Sequence, residues 1–391
     1  DNTFYWFLRA IAQSKPSSGR GGSWGLGKLA APLASDARTF FCVTKQFDTG
    51  KRYLVGQSVV KQHQRLGITY VSEMYFADEE LQEPDNLFSW SPISDDSEID
   101  EFCNVFGVDR SDPGTSLVIP FTKDDEFGSV SEINEIATCI IANWTVPILD
   151  GRLEMEFVNL DGKSWSVNPS DLRRLIHEGH LSWDSSREKI GSKPNPAWSS
   201  CSRLSELIAL VDSKAEEDKI SFEVKTPSTE RNYARSANAQ ISELVPSPDD
   251  QAFIHAREAF QNGEFIHVHG SIPVWTNENE QLGDGKYSLI LHKTDQESAE
   301  AHFYRDQISL PLVLNKDCVW GGVSSLMEVS GEYNPLAQML RDSEGPAHLE
   351  WNPQEPKFRR KYKHSSTTIT FLQKLGKKIA EMFHSVESDD E

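Results

Sequence analysis

The chain has 391 residues, 38% hydrophobic and 25% charged, which allows two or three domains with real cores and excludes wholesale disorder. Its formal net charge of −21 excludes a surface that wraps nucleic acid through a broad positive field, although local basic patches stay open. The cysteines Cys42, Cys103, Cys139, Cys201 and Cys318 are dispersed without a C-x-x-C pair, which fits reduced thiols in a cytoplasmic protein better than a disulfide framework.

Phe4 to Ala12 reads as a short helix or buried segment, broken by Pro16 and the glycines of "QSKPSSGRGG". Lys28 to Ser35 is rich in Ala and Leu and starts a helix, provided Pro32 sits in its first turn. Thr39 to Thr44 and Arg52 to Val59 are expected strands flanking the turn "DTGK", and Ile68 to Phe76 is expected to be another. Asp78 to Glu101 is acidic, carries Pro84 and Pro92, and reads as a long exposed insertion. "DPGTSLVIPF" (Asp112 to Phe121) is a turn running into an apolar strand expected to be buried on both faces. Ile133, Ile136, Ala137, Ile140, Ile141 and Trp144 repeat at helical spacing. The longest apolar run, Ile136 to Leu149, contains Asn143 and Pro147 and is too short to span a bilayer, and no signal peptide opens the chain.

A second domain is expected from Gly151 to about residue 330. Its alternating Leu153, Met155 and Phe157 turn through "LDGK" into "SWSV", and a short helix follows at Ser170 to Glu178. Ser185 to Ser202 and much of Thr226 to Asp249 read as loops. Strands are expected at Phe265–Val274, Tyr287–His292, His302–Leu310 and Val319–Val329, and a helix at Pro335–Asp342. Residues 331 to 391 form a C-terminal helical region. It holds a basic stretch (Lys357, Arg359, Arg360, Lys361, Lys363), an amphipathic helix from Thr368 to His384 and an acidic tail. The overall class is α+β.

Three motifs overlap in "SGRGGSWGLGKLAAPLAS" (Ser18 to Ser35). Gly22 to Lys28 spells the Walker G-x-x-x-x-G-K, but "AQSKPSSGRG" is no core strand, and Leu29 stands where Ser or Thr should hold Mg²⁺. Gly21 to Gly25 spells the hydrolase elbow G-x-S-x-G, and the same lead-in denies Ser23 its strand. Gly22, Gly25 and Gly27 spell G-x-x-G-x-G, whose glycines let backbone N–H groups approach a phosphate ahead of a helix, with Lys28 as a point charge. A glycine-rich surface loop that binds nothing accounts for the same residues.

The stretch "GGSWGLGK" resembles the ATP lid of the GHKL superfamily (gyrase B, MutL, histidine kinases, MORC proteins and heat-shock chaperones), and Gly114-Thr115 before "SLVIPF" resembles that family's last motif. The resemblance covers residues 1 to 150 and implies a Bergerat-type α/β sandwich followed by a transducer-like α/β domain. It implies that Gly21, Gly22, Ser23, Trp24, Gly25, Leu26, Gly27 and Lys28 hold ATP and Mg²⁺, with Thr115 beside the nucleotide. It also implies a homodimer or protein complex whose closure controls a nuclease or helicase partner, in antiviral defence or DNA repair. Lys293 and Lys316 are the guesses for the lysine a transducer domain lends to the γ-phosphate. The family's Glu/Asn helix and Asp-x-Gly-x-Gly are absent from residues 1 to 20, and residue 1 is Asp rather than Met. Further residues before Asp1 are therefore expected to carry them, and ATP hydrolysis depends on them. A non-hydrolysing scaffold subunit is the alternative.

Other constellations have plainer explanations. His267 and His269 would share a strand face, as metal ligands could, but lack a third ligand nearby. His177 and His180 fit favourable charge at a helix C-terminus. Arg341 and His348 surround a Gly-Pro turn that reads as a helix capped by Gly345 and stopped by Pro346. The basic stretch with Phe358 and Tyr362 could touch a nucleic-acid backbone, and docking of the following helix onto the body is the simpler reading.

Overall fold

Strand β1 (Thr39–Lys45) alternates Phe40 and Cys42 with Phe41 and Val43, so both of its faces are apolar. The computed structural model describes residues 30–80, 89–122, 130–158, 162, 164–177, 189–190, 193–194, 204–224, 250–294, 300–310, 320–345 and 350–385. They fall into two compact units divided between Glu132 and Ile133.

In the first unit, β1 lies between β2 (Arg52–Val59) and β8 (Gly114–Val118), and β5 (Glu73–Phe76) pairs beyond β2. Every pairing in this four-stranded sheet is antiparallel. Helix α2 (Asp96–Phe106) covers one face, burying Ile99 and Cys103 against Val43, Leu54 and Ile93. Asp95 caps it by accepting from the N–H groups of Ser97 and Glu98, and Gly107 ends it at φ 65°. On the other face Phe40, Cys42 and Val55 pack with Ala31 of helix α1 (Ala30–Ala34), and Pro32 does lie in the first turn of that helix.

Three expectations change here. Ile68–Phe76 is not one strand: it breaks at Val71-Ser72 into β4 (Ile68–Tyr70), paired with β3 (His63–Arg65), and β5 in the main sheet. The acidic run Asp78–Glu101 is not a plain insertion. It holds β6 (Asp78–Glu80), β7 (Ser89–Ser91), the buried Ile93 and the start of α2. Strand β8 is not a doubly buried core strand. It ends the order of described strands, with Leu117 48% exposed, because an apolar run does not reveal how many neighbours a strand will have.

The second unit is built on a six-stranded mixed sheet. Its order is β13 (Ile220–Val224), β14 (Ile266–Trp275), β15 (Gln281–Lys293), β18 (Val323–Val329), β16 (Ala301–Arg305) and β17 (Ile308–Ser309). On one face lie α6 (Gln251–Gln261), α7 (Pro335–Ser343), α8 (Pro356–Lys361) and α9 (Ser365–Ser385). In α9, Ile369, Leu372, Leu375, Ile379 and Phe383 are fully buried at helical spacing, so this helix docks onto its own unit. Helix α8 contains most of the basic stretch; Phe358 and, just past its end, Tyr362 are buried, while its cations stay exposed.

The opposite face carries α3 (Val130–Leu149), α4 (Pro169–His177), α5 (Leu204–Asp212) and the hairpin β9 (Met155–Val158) with β10 (Ser164–Val167), while the short β11 (Lys189–Ile190) and β12 (Lys193–Pro194) pair with each other. Helix α3 is kinked at Trp144, three residues before Pro147, whose ring cannot pass the carbonyl a turn earlier.

Gly285 fixes how α7 meets the sheet. A Cβ there would stand 2.1 Å from Leu336 Cβ and 2.7 Å from the Leu336 backbone nitrogen, and the backbone cannot step aside. Gly285→Ala is expected to destabilise the unit by about 1–3 kcal/mol, measured by chemical denaturation. Helix α7 does not end on Gly345 as expected. Glu344 turns extended at φ −79°, ψ 138°, and its carboxylate is drawn inward to Arg305.

Candidate functional site

Of the residues assigned to a phosphate cradle, Gly21, Gly22, Ser23, Trp24, Gly25, Leu26, Gly27 and Lys28 lie outside the described residues. Thr115 is described. It is exposed, one residue into β8 and directly opposite Thr44 of β1, with their hydroxyl oxygens 3.1 Å apart. Thr44 also donates to the Gly114 carbonyl at 3.2 Å. Gly114 has φ +145°, a conformation that side chains disfavour, and a Cβ there would stand 2.8 Å from an Arg110 guanidinium nitrogen.

Around this strand start lie two cations, Lys45, which donates to the Ser111 carbonyl, and Arg110, whose buried Nε has no partner. Asp109 turns the loop by accepting from Ser111, and those hydrogen bonds hold its carboxyl below the usual range. The result is an exposed polar mouth with a pair of mutually bonded threonine hydroxyls and guanidinium donors, chemistry suited to a polar or anionic ligand. The thiols nearby are no nucleophiles: burial pushes Cys42 up to about 12 and raises Cys103 as well.

The second unit has a concavity of its own. Along β14, β15 and β18 one set of alternate residues enters the core with α6, α7 and α9, and the other set faces the opposite side. Where α5 does not cover that side, two cavities of about 470 and 380 Å³ share Glu328 and Ser330. Glu223, His269, Lys286 and Ser288 line the first; Asp150, Arg152, Lys214 and Asp306 line the second. Lys214 reaches Glu328 at 2.6 Å, joining the turn after α5 to the sheet. A trough with both signs of charge and several hydroxyls suits a polar, zwitterionic or multiply hydroxylated ligand.

His267 and His269 do share a strand face, but His267 is buried while His269 opens into the first cavity. Among the described residues no three His, Cys, Asp or Glu side chains gather as metal ligands do. A partly buried set between α5 and the sheet has the residue types of a nucleophilic triad: Glu206, Ser324 and His292, with His292 opposite Ser324 in the sheet. Its wiring is wrong for that chemistry. The Ser324 hydroxyl donates to the Glu206 carboxylate at 2.7 Å, and His292 stacks on Phe265 with ring centroids 4.2 Å apart. It ties helix to sheet.

Lys293 ends β15 and donates to the Gln261 carbonyl at 3.4 Å, and Arg341 reaches Asp306 at 3.3 Å. Lys316, His180 and His348 lie outside the described residues, and His177 closes α4. Sequence reading missed Glu223, Lys286 and Glu328. The signal available was a charged residue at alternate positions inside otherwise apolar strands. No described helix is long and apolar enough to cross a membrane. No protein-family model matches the chain, and no curated protein matches it.

Proposed function

We propose that the first unit belongs to an ATP-binding protein of GHKL type, with Gly21 to Lys28 closing over the phosphates and Thr115 beside the nucleotide. The observation that supports this reading most is the order of parts. A glycine-rich run ending in Lys28 leads through α1 into β1, and Gly114-Thr115 opens the strand that pairs alongside β1. The polar mouth at Thr44, Arg110 and Thr115 has donors that fit a nucleotide's oxygens.

Mg²⁺ would arrive with the phosphates, since no cluster of ligating side chains occurs among the described residues. Nucleotide-driven closure would then act on a protein partner, a nuclease or helicase in defence or repair. Binding is the activity to test, because residues 1 to 20 contain no glutamate to serve as base.

Calorimetric titration with ATP and Mg²⁺ should give saturable heat. Lys28→Ala and Gly25→Val should weaken it by roughly tenfold or more, as loss of a charge-assisted contact does. Gly114→Ala should also weaken it, by moving Thr115. No saturable heat, or equal affinity in all variants, sinks the reading. A non-hydrolysing interaction subunit is the second reading, favoured by the aromatic surface of the first unit. There Phe76 and Phe106 are both exposed, each packed edge-on or tilted against Phe41.

A further inference from the structure

The hairpin of β3 and β4 is exposed at every position from Lys61 to Ser72, and none of these residues enters either core cluster of the first unit. A two-stranded ribbon with no face buried gains little from its own fold. Its tip is stranger still. Leu66 and Gly67 take φ values of 54° and 79°, the two-residue type I′ turn in which Asn-Gly is the favoured pair. A leucine there is strained, and this one is 93% exposed. Neither the turn's backbone nor a core among the described residues gains from a leucine at that position, which directs the use of Leu66 outward.

The ribbon's two faces differ. Opposite residues share a face, which puts His63 and Arg65 with Ile68 and Tyr70, and Lys61 lies two residues before the strand. The His63 ring stacks on Tyr70 with centroids 5.2 Å apart. The other face carries Gln64, donating to Thr69 at 3.2 Å. The two permanent cations, Lys61 and Arg65, stand four residues apart with His63 between them, a spacing that suits a repeating anion better than a single one. In a chain of net charge −21, no Asp or Glu occurs from Thr49 to Ser72, and neither Lys61 nor Arg65 pairs with a described carboxylate.

We propose that this ribbon is an arm that enters a groove of duplex nucleic acid, with Lys61, His63 and Arg65 along the phosphates and Leu66 leading as an apolar wedge. Grooves admit a two-stranded ribbon, and apolar tips that wedge between base steps are a recurring way to grip a duplex. The acidic remainder of the chain confines contact to the arm, so affinity is modest and strongly salt-dependent. The proposal is independent of nucleotide binding.

The test is fluorescence anisotropy of a short labelled DNA duplex at low salt without nucleotide, with melting temperatures recorded for each variant. Wild type should bind saturably. Lys61→Glu with Arg65→Glu should weaken binding by roughly tenfold or more and flatten the log–log salt slope by about two. Leu66→Asn, which suits the turn better, should hold or raise the melting temperature while lowering affinity several-fold. A merely structural Leu66 would instead lower the melting temperature and leave affinity alone. Absence of saturable binding overturns the proposal, as does binding retained in both arm variants or lost only in Lys357→Glu with Arg360→Glu. Self-association by light scattering that the arm variants abolish, without duplex binding, makes the arm a protein interface and overturns it as well.

Discussion

Glu344→Gln is expected to lower the stability of the second unit by about 3–5 kcal/mol, although it changes almost nothing in shape. Arg305 of β16 and Glu344 at the end of α7 are both fully buried and joined through two bonds, Nε to Oε1 at 2.5 Å and Nη2 to Oε2 at 2.7 Å. Burial alone would lower the Arg305 pKa, but the Glu344 hydrogen bond and charge, with Asp306 behind them, hold it above its ordinary value. The amide variant therefore leaves a guanidinium charged inside the protein with half its compensation gone.

For a unit of this size the expected fall in melting temperature is roughly 10 °C, followed by circular dichroism. Arg305→Met combined with Glu344→Leu should recover most of the loss, since an apolar pair removes both desolvated charges together. A fall of about 1 kcal/mol or less in the single variant would mean that water screens the pair. The pair also explains why α7 stops where it does. The carboxylate that turns Glu344 out of the helix is the one that anchors β16.

Where a segment's own chemistry decides its conformation, the sequence was legible. The strands at Arg52 and Phe265, the helix at Pro335 and the docking face of α9 each carry a strong period or a turn residue in place. The start of α2 was also marked, because Asp95 with Glu98 three residues on is a capping pattern hidden among other acids. Helix α6 is faint in the sequence because alanines, at Ala256 and Ala259, carry half its buried face and contribute little apolar signal. Edge position and sheet membership are decided by other segments, so neither β8 nor the break at Val71-Ser72 could be seen locally. The trough around Glu328 is the same case. Its residues come from β13, β14, β15, β18 and the turn after α5, and only the sheet order makes them neighbours. At the polar mouth, Thr115 stood out through resemblance, whereas Thr44 and Arg110 become visible only once β1 and β8 are paired.

The second large effect is one of pH. His267 is 3% exposed; burial, then the charges of Lys219, His269 and Lys214, push its pKa from the ordinary 6.5 down to about 4. With the folded value below the unfolded one, the unfolded chain binds the extra proton over that interval. Stability is complete above about pH 6.5 and is lost as pH falls toward about 4, by about 3 kcal/mol from this residue. His292, also lowered chiefly by burial, adds a loss of the same sign. The quantity that isolates His267 is therefore the difference between wild type and His267→Gln, from urea unfolding across the interval. At pH 7 that difference reflects packing alone. It should shift steadily in favour of the variant as pH falls and level off near pH 4. Parallel curves would mean that His267 takes up its proton without unfolding the sheet, through water reaching the unpartnered Nε2.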